Sequence, residues 1–261
     1  MKRRIGLAAL TVLELSPAEQ ISVAAGTGYD FVGLRLIPVA GQPYHHRVDV
    51  AEIEERLAGS GVPVLDVEVF RLAAETKVAD FEPMLAIAAR LRATDLLVHG
   101  ADPDEARLAE TWGRFCDLAG SYRLAANLEP MPWVDISTVA KANRILQIAG
   151  KSNAAVLIDA IHFYREKNSI KDLSSTSTRY LQLCDAHKEK PASMDEIRRQ
   201  AREDRLMPGK GGLDLRGLLK ALPPELPISL EVPYAKPMGA AERARRALEL
   251  TSNFLEETMA R

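Results

Sequence analysis

The feature that most constrains this chain is an alternation that runs from one end to the other. Short apolar runs, several of them β-branched, recur at Arg4 to Leu10, Phe31 to Leu36, Val62 to Phe70, Asp95 to His99, Leu124 to Glu129, Ala155 to Asp159, Tyr180 to Asp185 and Ile228 to Val232. Longer patterns with helical spacing fill the gaps: 17–26, 50–59, 81–92, 103–119, 136–148, 213–222 and 240–258. Runs of this kind suit parallel strands covered on both faces. Strand–helix alternation with crossovers this long implies parallel pairing with right-handed turns. Eight units predict closure into an α/β, (β/α)8 TIM barrel forming one domain over 1–261, and 261 residues is close to the ~250 usual for that barrel. The competitor, an open doubly wound sheet, needs a Gly-rich phosphate turn after the first strand, where Leu10-Thr11-Val12-Leu13 stands instead.

Charge excludes several classes. Thirty-four Lys and Arg against 36 Asp and Glu give a net charge of −2, so no broad cationic surface awaits nucleic acid or anionic lipid. Two cysteines, Cys116 and Cys184, make no disulfide framework and fit a reducing cytoplasm. Met1-Lys2-Arg3-Arg4 and the apolar run after it imitate a signal peptide, but Glu14 interrupts the run and no small-residue cleavage site follows. We read it as a buried first strand. No stretch approaches the ~20 apolar residues of a membrane span.

In such a barrel the chemistry is assembled where strands end. The fifth run closes Asn127-Leu128-Glu129, the sixth Ile158-Asp159 and the eighth Ser229-Leu230-Glu231-Val232, while the seventh reads Leu181-Gln182-Leu183-Cys184-Asp185. Period-two alternation sends Asn127 with Glu129, Gln182 with Cys184, and Ser229 with Glu231 into the mouth, opposite the leucines that suit the helix-covered face. Three carboxylates and an amide oxygen then converge from neighbouring strands. Like carboxylates a few ångströms apart cannot all stay ionised alone. A divalent cation resolves the conflict, and an all-oxygen shell favours Mg²⁺ or Mn²⁺ over Zn²⁺. The plainer reading for each acid is a helix cap or an arginine partner. Asp185 lies one step past the inward set, where it caps the next segment or touches Arg205.

The runs Asn127-Leu128-Glu129-Pro130, Leu157-Ile158-Asp159-Ala160-Ile161-His162, Tyr180 to Ala186 and Ser229-Leu230-Glu231-Val232-Pro233 together resemble the xylose isomerase-like barrels, the sugar phosphate isomerase/epimerase group. Arg205-Leu206-Met207-Pro208-Gly209-Lys210-Gly211 is similar to that group's Pro-Gly-Glu-Gly loop, with Lys210 where an acid is common. The resemblance implies a metal held by Glu129, Asp159, Gln182 and Glu231, although many members carry His where this chain has Gln182. It implies Mn²⁺ or Mg²⁺, with Zn²⁺ or Co²⁺ as the other candidates. It also implies Glu129 and Glu231 as the acid/base pair of an isomerase or epimerase. Such an enzyme acts on a sugar, cyclitol or related polyhydroxy carbonyl through a metal-stabilised enediolate. A metal-dependent lyase, a dehydratase of a keto-cyclitol or dehydroshikimate, uses the same apparatus.

Further residues are expected at the mouth. His162, His99, Glu68, Arg205 and Trp133 are candidate substrate contacts, and no organic cofactor is expected. Glu68 shares a face with Asp66 and Phe70 in the period-two reading, and its plainer role is an ion pair with Arg35. Arg198, Arg199 and Arg202 recur at helical spacing beside Glu196, Glu203 and Asp204, as on a solvated helix face. The stretch 186–212 is the widest irregular segment. Adjacent His45 and His46 cannot both face one site. The partner expected is a small sugar-like molecule, with no nucleic acid and no membrane, and a homo-oligomer is left open. A nuclease of this fold needs many histidines and a basic face, against five histidines and a charge of −2 here. A scaffold barrel without catalysis has no physical reason to keep Glu129 and Glu231 uncompensated.

Overall fold

A computed structural model describes residues 3–42 and 44–259. The strands are β1 (Ile5–Leu7), β2 (Phe31–Arg35), β3 (Val64–Ala73), β4 (Asp95–Ala101), β5 (Ala125–Leu128), β6 (Ala154–Val156), β7 (Ile158–Asp159), β8 (Leu181–Leu183) and β9 (Ile228–Leu230). All pair in parallel, in the order β6-β5-β4-β3-β2-β1-β9-β8-β7. Only Leu157 separates β6, which bonds β5, from β7, which bonds β8. The ring therefore closes through one interrupted strand, which makes an eight-position TIM barrel.

The helices are α1 (Pro17–Thr27), α2 (Val50–Ser60), α3 (Glu82–Arg90), α4 (Glu105–Ser121), α5 (Val139–Ala149), α6 (Ala160–Arg165), α7 (Met194–Glu203), α8 (Leu215–Ala221) and α9 (Ala240–Met259). Local chemistry sets their ends. Ser16 and Glu19 form a capping box with Pro17 at the first helical position, and Gly28 closes α1 at φ 88°. No helix among the described residues is long and apolar enough to cross a membrane.

Three expectations need correction. The first apolar run is a strand only over Ile5–Leu7 and then tightens into a 3-10 turn at Ala9–Val12, which is buried in full. The 186–212 stretch is not irregular throughout, because it contains α7, capped by Ser193 accepting from the Glu196 amide at 3.2 Å. Phe70 does not share a face with Asp66 and Glu68. The pairing of β3 with β4 shifts register between Val67 and Phe70, and a bulge of this kind flips the side chains that follow it. Phe70 instead joins Phe81 and Phe115 under the helices at centroid distances of 5.3 Å. Val69 packs inside the barrel with Leu97, Leu157 and Tyr180.

The interior is layered. Below that apolar layer, Tyr180 Oη donates to Asp66 Oδ2 at 2.6 Å, and Asn127 Nδ2 donates to Asp95 Oδ1 at 3.0 Å. Gly33 is required beside Asp66, since a Cβ there would stand 2.2 Å from Asp66 Oδ1. Burial, then Glu68, pushes the Asp66 carboxyl up to about 8. Asp66, whose ordinary value is 3.8, is therefore protonated in the fold. Between those values the folded state holds the extra proton, so this contribution is full below the lower one and lost as pH rises through the upper. Asp66→Asn does not titrate. Its melting temperature relative to the parent is expected to climb between about pH 5 and 8.5, by the equivalent of ~1 kcal/mol per pH unit in the upper half of that window. A difference independent of pH would mean that Asp66 is ionised in the fold.

Candidate active site

Parallel strands place all their carboxyl ends at one mouth, and the polar residues closing them meet there. Glu129, Asp159, Gln182, Arg205 and Glu231 are all buried, with Glu129 and Glu231 each 3% exposed and Arg205 2%. The leucines and valines between them lie in the outer core, as the alternation requires. A cavity of about 250 Å³ opens above, with Arg35, Arg71, His99, Trp133, His162 and Arg202 in its wall.

Arg205 organises the acids. Its Nη1 lies 2.6 Å from Asp159 Oδ2 and its Nη2 2.8 Å from Glu231 Oε2, while Nε donates to the Ala201 carbonyl at 2.6 Å. The plainer reading of Asp159 therefore holds in both its forms. Besides its arginine partner, its Oδ1 caps α6, accepting from the amides of Ile161 at 2.8 Å and His162 at 3.3 Å. Burial alone would raise the Asp159 carboxyl, but Arg205, His162 and the cap hold it below the usual range. Glu129 and Glu231 go the other way. Burial and the neighbouring carboxylates push both well up, against the pull of Arg205. Gln182 turns its amide nitrogen to Glu231 Oε1 at 3.1 Å, which leaves its own oxygen without a partner.

Two histidines flank Glu129. His99 Nε2 lies 2.7 Å from Glu129 Oε2, and His162 Nε2 lies 3.8 Å from Oε1. Burial is the main cause that lowers both rings to about 3, so each is neutral. With Glu129 ionised, the His99 nitrogen carries the bridging hydrogen. Trp133 meets His162 edge-on at 4.9 Å. Glu68, expected at substrate, pairs with Arg35 at 2.9 Å and, unlike Arg35, does not line the cavity. Asp185 serves the loop instead of the mouth: its carboxylate accepts from the amides of Ala186, Gly209, Gly211 and Leu213 at 2.8 to 3.1 Å. His46 reaches back to the Leu13 carbonyl at 2.9 Å.

The residues suit a divalent cation on two counts. Once ionised, Glu129, Asp159 and Glu231 would carry three negative charges against the single charge of Arg205, a deficit of two in a buried site that the raised proton affinity of the two glutamates reflects. Donor atoms of Glu129, Asp159 and His162 lie within 4.8 Å of one another, and the His162 Nδ1 and Gln182 Oε1 atoms are buried without partners. Glu231 is not in that three-residue cluster, and His162, expected only at substrate, is. The signal for His162 was its position three residues beyond Asp159, where the first turn of α6 carries it back over the strand end.

The profile of the xylose isomerase-like TIM barrel family matches residues 21–254, and the chain belongs to that family. Among solved structures, the chain superposes on a xylose isomerase-like TIM barrel/4-hydroxyphenylpyruvate dioxygenase fusion protein with a TM-score of 0.83 at 18% identity, spanning 99% of this chain but 43% of that one. An IOLI protein with a bound zinc atom gives 0.79 at 17% identity over 98% and 99% of the two chains. The D-allulose 3-epimerase of Methylomonas sp., in complex with D-allulose, gives 0.71 at 17% identity over 97% of each. No protein of curated function matches in sequence.

Proposed function

We propose that this chain is a divalent-metal isomerase or epimerase that moves a proton on the carbon beside the carbonyl of a sugar, cyclitol or related polyhydroxy compound. The observation that carries this reading is the pair of buried carboxylates, Glu129 and Glu231, both with raised proton affinity and facing one small cavity. A carboxylate whose proton affinity is raised is a stronger base than an exposed one. Burial alone explains a raised carboxyl, but two of them facing one open cavity are more than a core needs.

Glu129, Asp159 and His162 would hold the ion, and the unpartnered oxygen of Gln182, on the strand beside Asp159, is a further donor. When bound, the ion supplies Lewis-acid stabilisation of negative charge on substrate oxygens. The protein's own groups do the rest. Arg205 fixes Asp159 and one oxygen of Glu231, which leaves the other oxygen on the Gln182 amide. His99 fixes one oxygen of Glu129. Trp133 and Met131 close the wall beside His162, which limits water at the reacting carbon. The two glutamates then take and return the proton, from one face or from two. At about 250 Å³ the cavity is below the ~300–1,000 Å³ of drug-sized sites, as a small polyol requires.

Incubation with Mn²⁺ and a panel of ketoses in deuterated water tests the reading by NMR. Deuterium entering the carbon beside the carbonyl, with an epimer or aldose appearing and no loss of water, is the expected result. An enone absorbance would identify a dehydratase in its place. No exchange with any polyhydroxy carbonyl, with and without Mn²⁺, would overturn the proposal.

A further inference from the structure

The arginines around the mouth fall into two sets. Most are neutralised. Arg205 is held by Asp159 and Glu231, Arg35 by Glu68, Arg198 by Asp195 at 3.1 Å, and Arg199 by Glu196 at 2.7 Å and Asp204 at 3.2 Å. Arg71 and Arg202 are different. Both line the cavity, and neither has an acidic partner or a side-chain hydrogen bond among the described residues. The helical spacing put Arg202 on a solvated helix face, yet it is half-buried, with the Arg198 and Arg35 charges against it and Glu203 in its favour. Its Nη1 would stand 3.5 Å from a Cβ on Gly41, so the loop after β2 lies against the guanidinium. Arg71 owes its place to the register shift in β3, which turns Val69 and Arg71 to the cavity after Glu68. It pairs in register with His99.

Keeping two like charges unpaired at one rim costs free energy unless a counter-charge arrives. The floor needs two positive charges and the rim needs negative charge, across a single small cavity. We infer that Arg71 and Arg202 form an oxyanion subsite, which receives a carboxylate or phosphate carried by the same substrate whose carbonyl end lies at Glu129 and Glu231. The inference rests on the proposed function for the carbonyl end and adds the substrate class: an acidic or phosphorylated polyhydroxy carbonyl, in preference to a neutral sugar. Guanidinium forks suit both oxyanions.

Calorimetry on the Mn²⁺-loaded protein with D-fructose, D-fructose 6-phosphate and 5-keto-D-gluconate tests this. At least one of the two anionic ligands is expected to bind about tenfold or more tighter than fructose, the equivalent of one charge-assisted hydrogen-bonded contact. Which one gains more separates phosphate from carboxylate. That preference is expected to weaken several-fold between roughly 50 and 200 mM NaCl. In Arg71→Gln/Arg202→Gln the ratio is expected to fall to within about threefold of unity. If the double variant unfolds, exposed Arg71→Gln alone and the salt dependence of the parent carry the same test. Equal affinity for all three ligands, or a preference that survives the double substitution, overturns the inference. The two readings fail separately. Anionic ketoses that bind through these arginines without proton exchange would sink the proposed reaction, whereas exchange on fructose with no anion preference would sink only the subsite.

Discussion

Arg205→Met is expected to destabilise the metal-free protein by about 3–5 kcal/mol, the usual cost of stranding buried charge. Out of a total stability of about 5–15 kcal/mol this is a large fraction. The guanidinium is 2% exposed and holds Asp159 and Glu231 at 2.6 and 2.8 Å, so its removal leaves those two buried acids without their shared cation. Methionine fills most of the volume, which confines the loss to charge and hydrogen bonds. The same change should enlarge the effect of Mn²⁺. The charge deficit at the site grows from two to three, so binding energy becomes stability through linkage, and a ligand at 100 times its Kd adds ~2.7 kcal/mol. Urea unfolding in EDTA and in saturating Mn²⁺ gives both numbers. A variant as stable as the parent in EDTA, or one gaining no more from Mn²⁺ than the parent, would show that Arg205 is not the compensating cation.

The sequence made the barrel legible because the buried strands repeat one simple constraint: leucine and valine toward the helices, with polar side chains toward the axis where the strands end. That constraint also located Glu129, Asp159, Gln182 and Glu231 at the mouth. It fails where a strand breaks its own period. The shift in β3 between Val67 and Phe70 has no marker in composition, and it sends Phe70 outward and Arg71 inward. Apolar content likewise cannot separate a strand from a buried tight turn, hence the early end of β1 at Leu7. The helix at Met194–Glu203 did leave a signal, since Ser193 precedes Glu196 at capping-box spacing. The pairing of Arg205 with Asp159 spans 46 residues and depends on the path of that long connection. No local pattern encodes it, although keeping Asp159 ionised in a buried site requires some cation.

Glu129→Gln and Glu231→Gln are each expected to lower the rate of proton exchange by about 10²–10⁴-fold, the range for a positioned general base. Glutamine keeps shape and volume but cannot take the proton. The two variants should part in their response to metal. Glu129 lies in the three-residue donor cluster with Asp159 and His162, so its amide should also weaken the Mn²⁺-dependent rise in melting temperature. Glu231 lies outside that cluster, held by Arg205 and Gln182, so Glu231→Gln should lose exchange and keep the thermal shift. Measuring deuterium incorporation beside the Mn²⁺ shift in each variant separates proton transfer from coordination. Loss of the shift in both variants would put Glu231 among the ligands, in the four-residue set that the family resemblance implies. Exchange within about tenfold of the parent in either variant would remove that glutamate from proton transfer, because among the described residues no other buried carboxylate with raised proton affinity lines this cavity to replace it.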